Sequence, residues 1–340
     1  MTATLQRPVY TVYIISDDIK YNVTPALISM ERTEADSQIA QKVTLHLMNI
    51  MVDGTWLVGL LKPRNRVYVY ANDGETNAEV FRGYLWTRVY NSSTSDRELT
   101  YTCYDHLIYF QESEDTFFFA EGANTKDVFQ EICDKWEVKL NYTYETISHK
   151  KLPLKGAMYD FFTADILDLV KKKTRKKYAI ISDKDTMYIK TVGSNTKIYH
   201  FLAGKNVSSV KSGWTMDGMV TQVVILGKAD EDSECEPVEA IVSGDTATYG
   251  TLQKLESVSE NKDLEEAKEE AQYIIDEKGK PKWEYVMTAP DIPWIREGDK
   301  VYLDAGEVVE SYLIVTNIDR SYTNKKCEMI LTMEDPVEEK

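Results

Sequence analysis

What constrains this chain most is a two-residue alternation of apolar and polar side chains through its N-terminal third. It runs through VYTVYII (9–15), VTLHLMN (43–49), RVYVY (66–70), VFRGYLWTRVY (80–90) and ELTYTCYD (98–105). Successive side chains of a strand point to opposite faces, so period two with Tyr, Val, Ile and Thr marks half-buried β-strands. Turn residues separate the runs: Asp17-Asp18, Asp53-Gly54, Asn72-Asp73-Gly74 and Asn91-Ser92-Ser93. Short strands at this spacing are expected to close into a barrel or sandwich.

Near residue 120 the period changes. Val128, Phe129, Ile132, Cys133 and Trp136 recur at helical spacing behind an Asn124 or Thr125 cap, and a second helix is expected after Thr163 with Ile166, Leu167, Leu169 and Val170 inward. Strand-like runs follow each helix. From about residue 219 strands return, interrupted by one helix that Asp263 can cap and Gly279 and Pro281 can end. The expected fold class is mainly β with an α/β insert: two similar tube-like β-barrels (residues 1–118 and 207–340) flanking a small α/β domain (119–206). The second barrel carries the helix at about 263–278.

The two β regions can be laid on one another. VTLHLMN (43–49) falls opposite WEYVMTA (283–289), and Pro63-Arg64-Asn65-Arg66 falls opposite Glu297-Gly298-Asp299-Lys300. Val67 and Tyr68 then meet Val301 and Tyr302, Arg88-Val89-Tyr90 meets Arg320-Ser321-Tyr322, Leu99-Thr100 meets Leu331-Thr332, and Asp105 meets Asp335. Differences in offset need only different turn lengths, as a duplicated barrel allows. Three chains with two similar barrels each would make a ring of pseudo-sixfold symmetry about a true threefold axis.

In this light the sequence resembles the tail hub proteins of contractile phage tails, of phage-like bacteriocin particles and of PBSX-type prophages, related to the hub portion of type VI secretion spike proteins. The residues that carry the likeness are Val80-Phe81-Arg82-Gly83-Tyr84, the helix from Asp263 to Lys278, and Pro290-x-x-Pro293-x-Ile295-x-x-Gly298-Asp299-Lys300-Val301 followed by Tyr312-Leu313-Ile314-Val315-x-x-Ile318. The resemblance implies a homotrimeric ring in the tail baseplate, assembled in the host bacterial cytoplasm. Its implied partners are the tail tube protein, the central spike protein, the tape-measure protein and the baseplate wedge. Some relatives carry fused lytic domains, and that activity is not carried over.

Composition narrows the alternatives. A net charge of -16 opposes binding to phosphate backbones and anionic membranes, so neither sequence-specific nucleic acid binding nor membrane binding is expected. No run of about 18 apolar residues occurs, and the N-terminus lacks a signal-peptide pattern. Cys103, Cys133, Cys235 and Cys327 form no CxxC, and His46, His106, His149 and His200 form no HxxxH or HExxH, so no metal and no cofactor is expected. Asp105-His106 are adjacent and expected to point apart, which leaves no catalytic residue to name. Asp230-x-Asp232-x-Glu234 places Cys235 where a calcium loop needs Gly, and reads as an acidic loop. Other readings are a tail-associated cell-wall glycan hydrolase using a carboxylate pair, or a glycan-binding protein exploiting the 22 Tyr and 6 Trp.

Two surfaces are candidates for assembly contacts. Lys171, Lys172, Lys173, Arg175, Lys176 and Lys177 form a basic run that reads either as a helix C-terminus or as a dock for an acidic neighbour. The apolar stretch from Met48 to Leu61, with Met48, Ile50, Met51, Trp56, Leu57 and Leu60, is larger than one small barrel can bury, so contact between barrels is expected.

Overall fold

In the computed structural model, residues 7–93, 97–228, 236–258 and 263–336 are described. The chain forms two compact units, Met1–Lys211 with Tyr285–Lys340, and Ser212–Glu284.

The alternating runs become strands: β1 Val9–Ser16, β2 Ile19–Asn22, β3 Leu27–Ala35, β4 Lys42–Met48, β5 Arg66–Asn72, β6 Asn77–Ser92 and β7 Arg97–Tyr104. Their inward positions (Val12, Ile14, Val43, Leu45, Leu47, Val67, Val69, Leu99 and Cys103 among them) meet in one core. An α/β segment follows, with β8 Glu114–Phe119, helix α1 Thr125–Lys135, β9 Lys139–Tyr142, β10 Leu152–Ala157, helix α2 over residues 158–174, β11 Tyr178–Asp183 and β12 Thr186–Thr191. The first unit continues with β13 His200–Leu202 and resumes at Tyr285 within β17 Lys282–Pro290, followed by β18 Lys300–Asp304, β19 Glu310–Thr323 and β20 Cys327–Glu334. These later strands bury Met287, Val301, Leu303, Leu313, Val315, Ile318, Leu331 and Met333 in a second core.

Helix α1 matches its expected spacing, and the Asn124 side chain caps it by accepting from the Lys126 amide. Helix α2 begins at Met158, earlier than expected, and Phe161–Leu167 is wound as a π-helix. That extra winding shifts the phase of the apolar stripe, so Leu169 lies exposed while Ile166, Leu167 and Val170 stay buried.

The halves were expected to be separate barrels, yet their strands form one thirteen-stranded sheet. Its order runs β2-β1-β5-β6-β7-β4-β3-β19-β20-β17 and then the strand Ser209–Thr215, with β18 on β19 and β13 on β18. The link is an antiparallel ladder from Asn317↔Ala35 to Thr323↔Ser29. Each half has its own core, and among the described residues no ladder closes either half into a barrel. An edge strand is a row of unpaired amides and carbonyls. Pairing β3 with β19 hides two such edges at once.

The duplication is visible in the strand order. β4-β7-β6-β5 and β17-β20-β19-β18 are both antiparallel throughout. The turn before each Val-Tyr strand repeats atom by atom. Arg64 and Leu85 are linked N to O at 2.8 Å and Leu85 N donates to Asn65 O at 2.9 Å. Gly298 N donates to Val315 O at 2.8 Å and Val315 N to Asp299 O at 2.9 Å. The Asn65 side chain accepts from Lys62 N at 2.7 Å, and the Asp299 side chain accepts from Arg296 N at 2.9 Å. Arg64 and Gly298 share positive φ, 66° and 77°, and a bulge follows Leu85 in one half and Val315 in the other.

These bulges fix the true equivalence: Leu85 with Val315, Cys103 with Met333, and so Tyr90 with Arg320 and Leu99 with Met329. The matches of 63–66 with 297–300, Val67 with Val301 and Tyr68 with Tyr302 hold. Those drawn through Arg88/Arg320, Leu99/Leu331 and 43–49/283–289 are displaced by two residues. A two-residue slip preserves which face each side chain takes, so alternation alone does not reveal it.

The second unit is small. Strands β14 Gln222–Leu226, β15 Val238–Ser243 and β16 Gln253–Ser257 make a sheet in the order β15-β14-β16. Helix α3, Leu264–Lys278, lays Ala267, Ala271, Ile274 and Ile275 on Val220, Val223 and Ile225. Asp263 caps it by accepting from the Glu266 amide at 2.9 Å.

Candidate functional site

The ladder that joins the two halves puts charge in the interior. β3 turns Met30, Arg32 and Glu34 inward, and β19 turns Ile318 and Arg320 inward. The register sets Arg32 directly across from Arg320. Like charges at opposed positions disfavour pairing unless anions intervene, and two carboxylates do. Glu34 accepts from Arg296 Nε at 2.6 Å, from Arg320 Nη1 at 3.3 Å and from Gln41 Nε2 at 2.7 Å. Asp291 accepts from Arg320 Nε at 3.1 Å and from the Tyr10 hydroxyl. Further guanidinium protons go to carbonyls: Arg32 to Pro293 at 2.8 Å, Arg296 to Ser182 at 2.8 Å, and Arg320 to Ile295.

Burial alone would raise the Glu34 carboxyl, but Arg296, Arg320 and Arg32 overcome it and hold the group at about 2. Burial, with Arg320 alongside, lowers the Arg32 guanidinium to about 10. All four oxygens of Glu34 and Asp291 are thus engaged by cations, an amide or a hydroxyl. The cluster offers no free base; what it does is fix the register of one half of the sheet against the other.

Asp105 and His106, in the turn after β7, have separate partners. The Asp105 oxygens accept from the amides of Gln41 and Leu107, both at 2.9 Å, and His106 Nδ1 lies 3.1 Å from Ser182 Oγ. Burial pushes Asp105 up to about 7 and His106 down to about 4, leaving both neutral-leaning and not poised as an acid–base couple. Among the described residues no group of three His, Cys, Asp or Glu is placed to hold a metal. Asp230, Asp232, Glu234 and Cys235 lie outside the described residues.

The basic run ends helix α2. Lys171, Lys172 and Lys173 form its last turn, where cations meet the carbonyl end, and Arg175 is its left-handed cap at φ 61°. Lys176 pairs with Glu145 at 2.5 Å and Lys177 with Glu334 at 2.6 Å. In the apolar stretch, Met51–Val52 and Thr55–Trp56 make a small hairpin leading into the short helix Leu57–Leu60. Leu57 is buried in the first core, and Ile50 and Leu60 pack against that core. Met48, Met51 and Trp56 are exposed, with the Arg97 guanidinium 5.2 Å over the Trp56 ring.

Two features were missed in the sequence. One is the buried cluster, whose signal is a charged residue at an inward position of an alternating strand: Arg32 and Glu34 share the parity of Met30, and Arg320 that of Ile318. The other is the far half of β6. β5 pairs with β6 only from Asn77 to Tyr84, and among the described residues no strand pairs with that edge from Trp86 to Ser92. Val89 there is 55% exposed and Tyr90 37%.

Comparison with known proteins places this geometry. An uncharacterized protein, YqbQ, of Bacillus subtilis (strain 168) is 22% identical over 259 residues, 73% of this chain and 77% of the relative. The 43 kDa tail protein of prophage MuSo2 from Shewanella oneidensis superposes with a TM-score of 0.71 at 13% identity, over 96% of this chain and 99% of that one. A tail protein from Neisseria meningitidis MC58 gives 0.69 at 11% identity over 96% of each chain. The c3393 protein of E. coli, a type VI secretion component with structural similarity to the T4 tail proteins gp27 and gp5, gives 0.55 at 10% identity over 92% of this chain and 74% of that one. At these identities the superpositions establish a shared fold. The YQBQ-like family model matches residues 60–334, and the chain belongs to the YQBQ-like family.

Proposed function

We propose that this chain is a structural hub of a tail baseplate in a contractile phage tail or phage-like particle. Three copies would form a pseudo-sixfold ring that adapts the hexameric tube above to the trimeric spike below. The observation that carries this reading is the repeated strand order, with its duplicated turn at Arg64 and Gly298, which gives one chain two ring-forming elements of like shape. The fold shared with the prophage and Neisseria tail proteins, and with a secretion component likened to gp27 and gp5, supports it. The organisation proposed is two tube-like halves, 1–118 and 207–340, around the 119–206 insert.

In this reading the neighbours are the tube protein, the central spike, the tape-measure protein and the baseplate wedge. The exposed Met48, Met51 and Trp56 would meet an adjoining subunit, and the basic end of helix α2 would face an acidic one. Acidic side chains toward the bore would repel DNA and let it slide. Light scattering of the purified full-length chain tests the ring: a native mass of three times 39.0 kDa is expected, with a three-lobed annulus in electron micrographs. A chain that stays monomeric at high concentration and within isolated tails would overturn the proposal.

A further inference from the structure

The duplication makes the two halves comparable strand by strand, and one strand is missing from the comparison. In the C-terminal half, the far part of β19 is covered by β3, with Asp36 N donating to Thr316 O at 3.0 Å at the start of the ladder. In the N-terminal half, the equivalent part of β6 begins at Trp86, the counterpart of Thr316; β7 pairs with one side of it, and among the described residues no strand pairs with the other. The counterpart of β3 is the strand Ser209–Thr215. It lies beside β17, as β3 lies beside β4, and stands at the end of the sheet. One half therefore presents an open edge that fits a β3-like strand, and the other presents a β3-like strand with an open edge.

We infer that the strand beginning at Ser209 of one copy adds to the Trp86–Ser92 edge of a second copy of this chain. The contact would repeat between molecules the ladder that β3 and β19 make within one. This rests on the trimeric reading above and specifies its interface. A register follows. Leu45 pairs with Tyr101 and Met287 with Leu331, so β4 and β17 align with His46 on Thr288. Ser208 N donates to Thr288 O at 2.8 Å just before the strand begins at Ser209, as Ile28 forms the bulge just before Ser29, the partner of His46. Val210 packs against the second core as Met30 does in the first, so Val210 and Lys211 stand for Met30 and Glu31, which face Tyr322 and Ser321. Across the new interface Val210 meets Ser92, and Lys211 meets Asn91.

Continuity argues for a second copy as the occupant. The sheet of the next molecule would continue the same strand order past the junction, and the contact is head-to-tail, which closes as a ring when the rotation permits. An edge that stays open on a chain with exposed Trp86, Val89 and Tyr90 beside it would be an aggregation site.

The test is cysteine cross-linking of the full-length chain carrying Asn91→Cys and Lys211→Cys, with native mass measured on the same sample. Oxidation is expected to give covalent multimers ending at three chains on a non-reducing gel, absent from either single variant. Tyr90→Pro removes an edge-facing amide together with the hydroxyl that accepts from Asn49 Nδ2 at 3.3 Å; it is expected to abolish the cross-link, whereas Tyr90→Phe, which loses the hydroxyl alone, is expected to keep it. Ser212→Pro, on the opposing strand, gives the same readout as Tyr90→Pro independently. A native mass of three chains without the cross-link overturns this strand pairing and leaves the trimer standing. A single-chain mass without the cross-link overturns both.

Discussion

Replacing Glu34 by Gln tests whether the buried cluster holds the two halves together. Glu34 is 6% exposed and serves Arg296, Arg320 and Gln41 at once. The amide keeps the shape but leaves Arg32, Arg296 and Arg320 with Asp291 as the nearest remaining carboxylate of the cluster. Removing one partner from a buried ion pair costs about 3–5 kcal/mol, because the other charge stays in the interior. At roughly 2–4 °C per kcal/mol for a chain of this size, thermal unfolding should begin about 10 °C lower. The pH dependence gives a second readout. The folded Glu34 is held at about 2, below its unfolded value, so its stabilisation is present above roughly pH 4.3 and is lost as pH falls toward 2. In Glu34→Gln that acid-limb loss should shrink. Adding Arg296→Met should recover part of the loss, since the cation that Glu34 holds at 2.6 Å goes too. Circular-dichroism melts from pH 2 to 8 measure all three. If Glu34→Gln melts within about 2 °C of the parent with an unchanged acid limb, the cluster is not what fixes the junction.

Other expectations follow from single positions. Burial holds Asp105 at about 7 when folded, above its unfolded value, so it costs stability as pH rises from about 4 to 7; Asp105→Asn should compare more favourably with the parent at pH 8 than at pH 5 in urea titrations. A Cβ on Gly83 would sit 2.1 Å from the Tyr104 carbonyl oxygen on β7. Gly83→Ala should therefore cost about 3 kcal/mol or more, read as a lower urea midpoint, by forcing two paired strands apart. The duplicated turn gives a matched pair. Gly298→Ala meets Ala179 Cβ at 2.6 Å at φ +77° and should destabilise by about 2 kcal/mol, whereas Arg64→Gly relieves a left-handed non-glycine but loses the guanidinium over Tyr84 and Tyr109 and should change stability by less than about 1 kcal/mol.

Much of the fold is legible in the sequence because alternation is a direct record of which face each strand buries. β4 shows it plainly: Val43, Leu45 and Leu47 fill the core while Thr44 and His46 do not. The repeat is legible where it rests on a turn, since Arg64 and Gly298 occupy the same backbone shape. It is displaced by two residues where it rests on strand residues alone. Which strand lies beside which is a long-range fact with no local trace: nothing near Arg32 announces Arg320. The buried cluster is hidden for the same reason, because an isolated Glu or Arg in a strand reads as solvated until its partners are brought from elsewhere. The π-wound segment Phe161–Leu167 is invisible to a 3.6-residue period.

The β3–β19 ladder also has a consequence for biosynthesis. Thr33 and Asp319, bonded at 2.9 Å, are 286 residues apart in sequence, so β3 is translated long before its partner leaves the ribosome. Until then the nascent N-terminal half carries two naked strand margins, on β3 and on β6, and closing so long a loop is slow. Truncated products that stop before Glu310 should therefore accumulate as insoluble material or remain chaperone-bound. Completion of the last strands is what converts a sticky intermediate into a chain ready to join its neighbours.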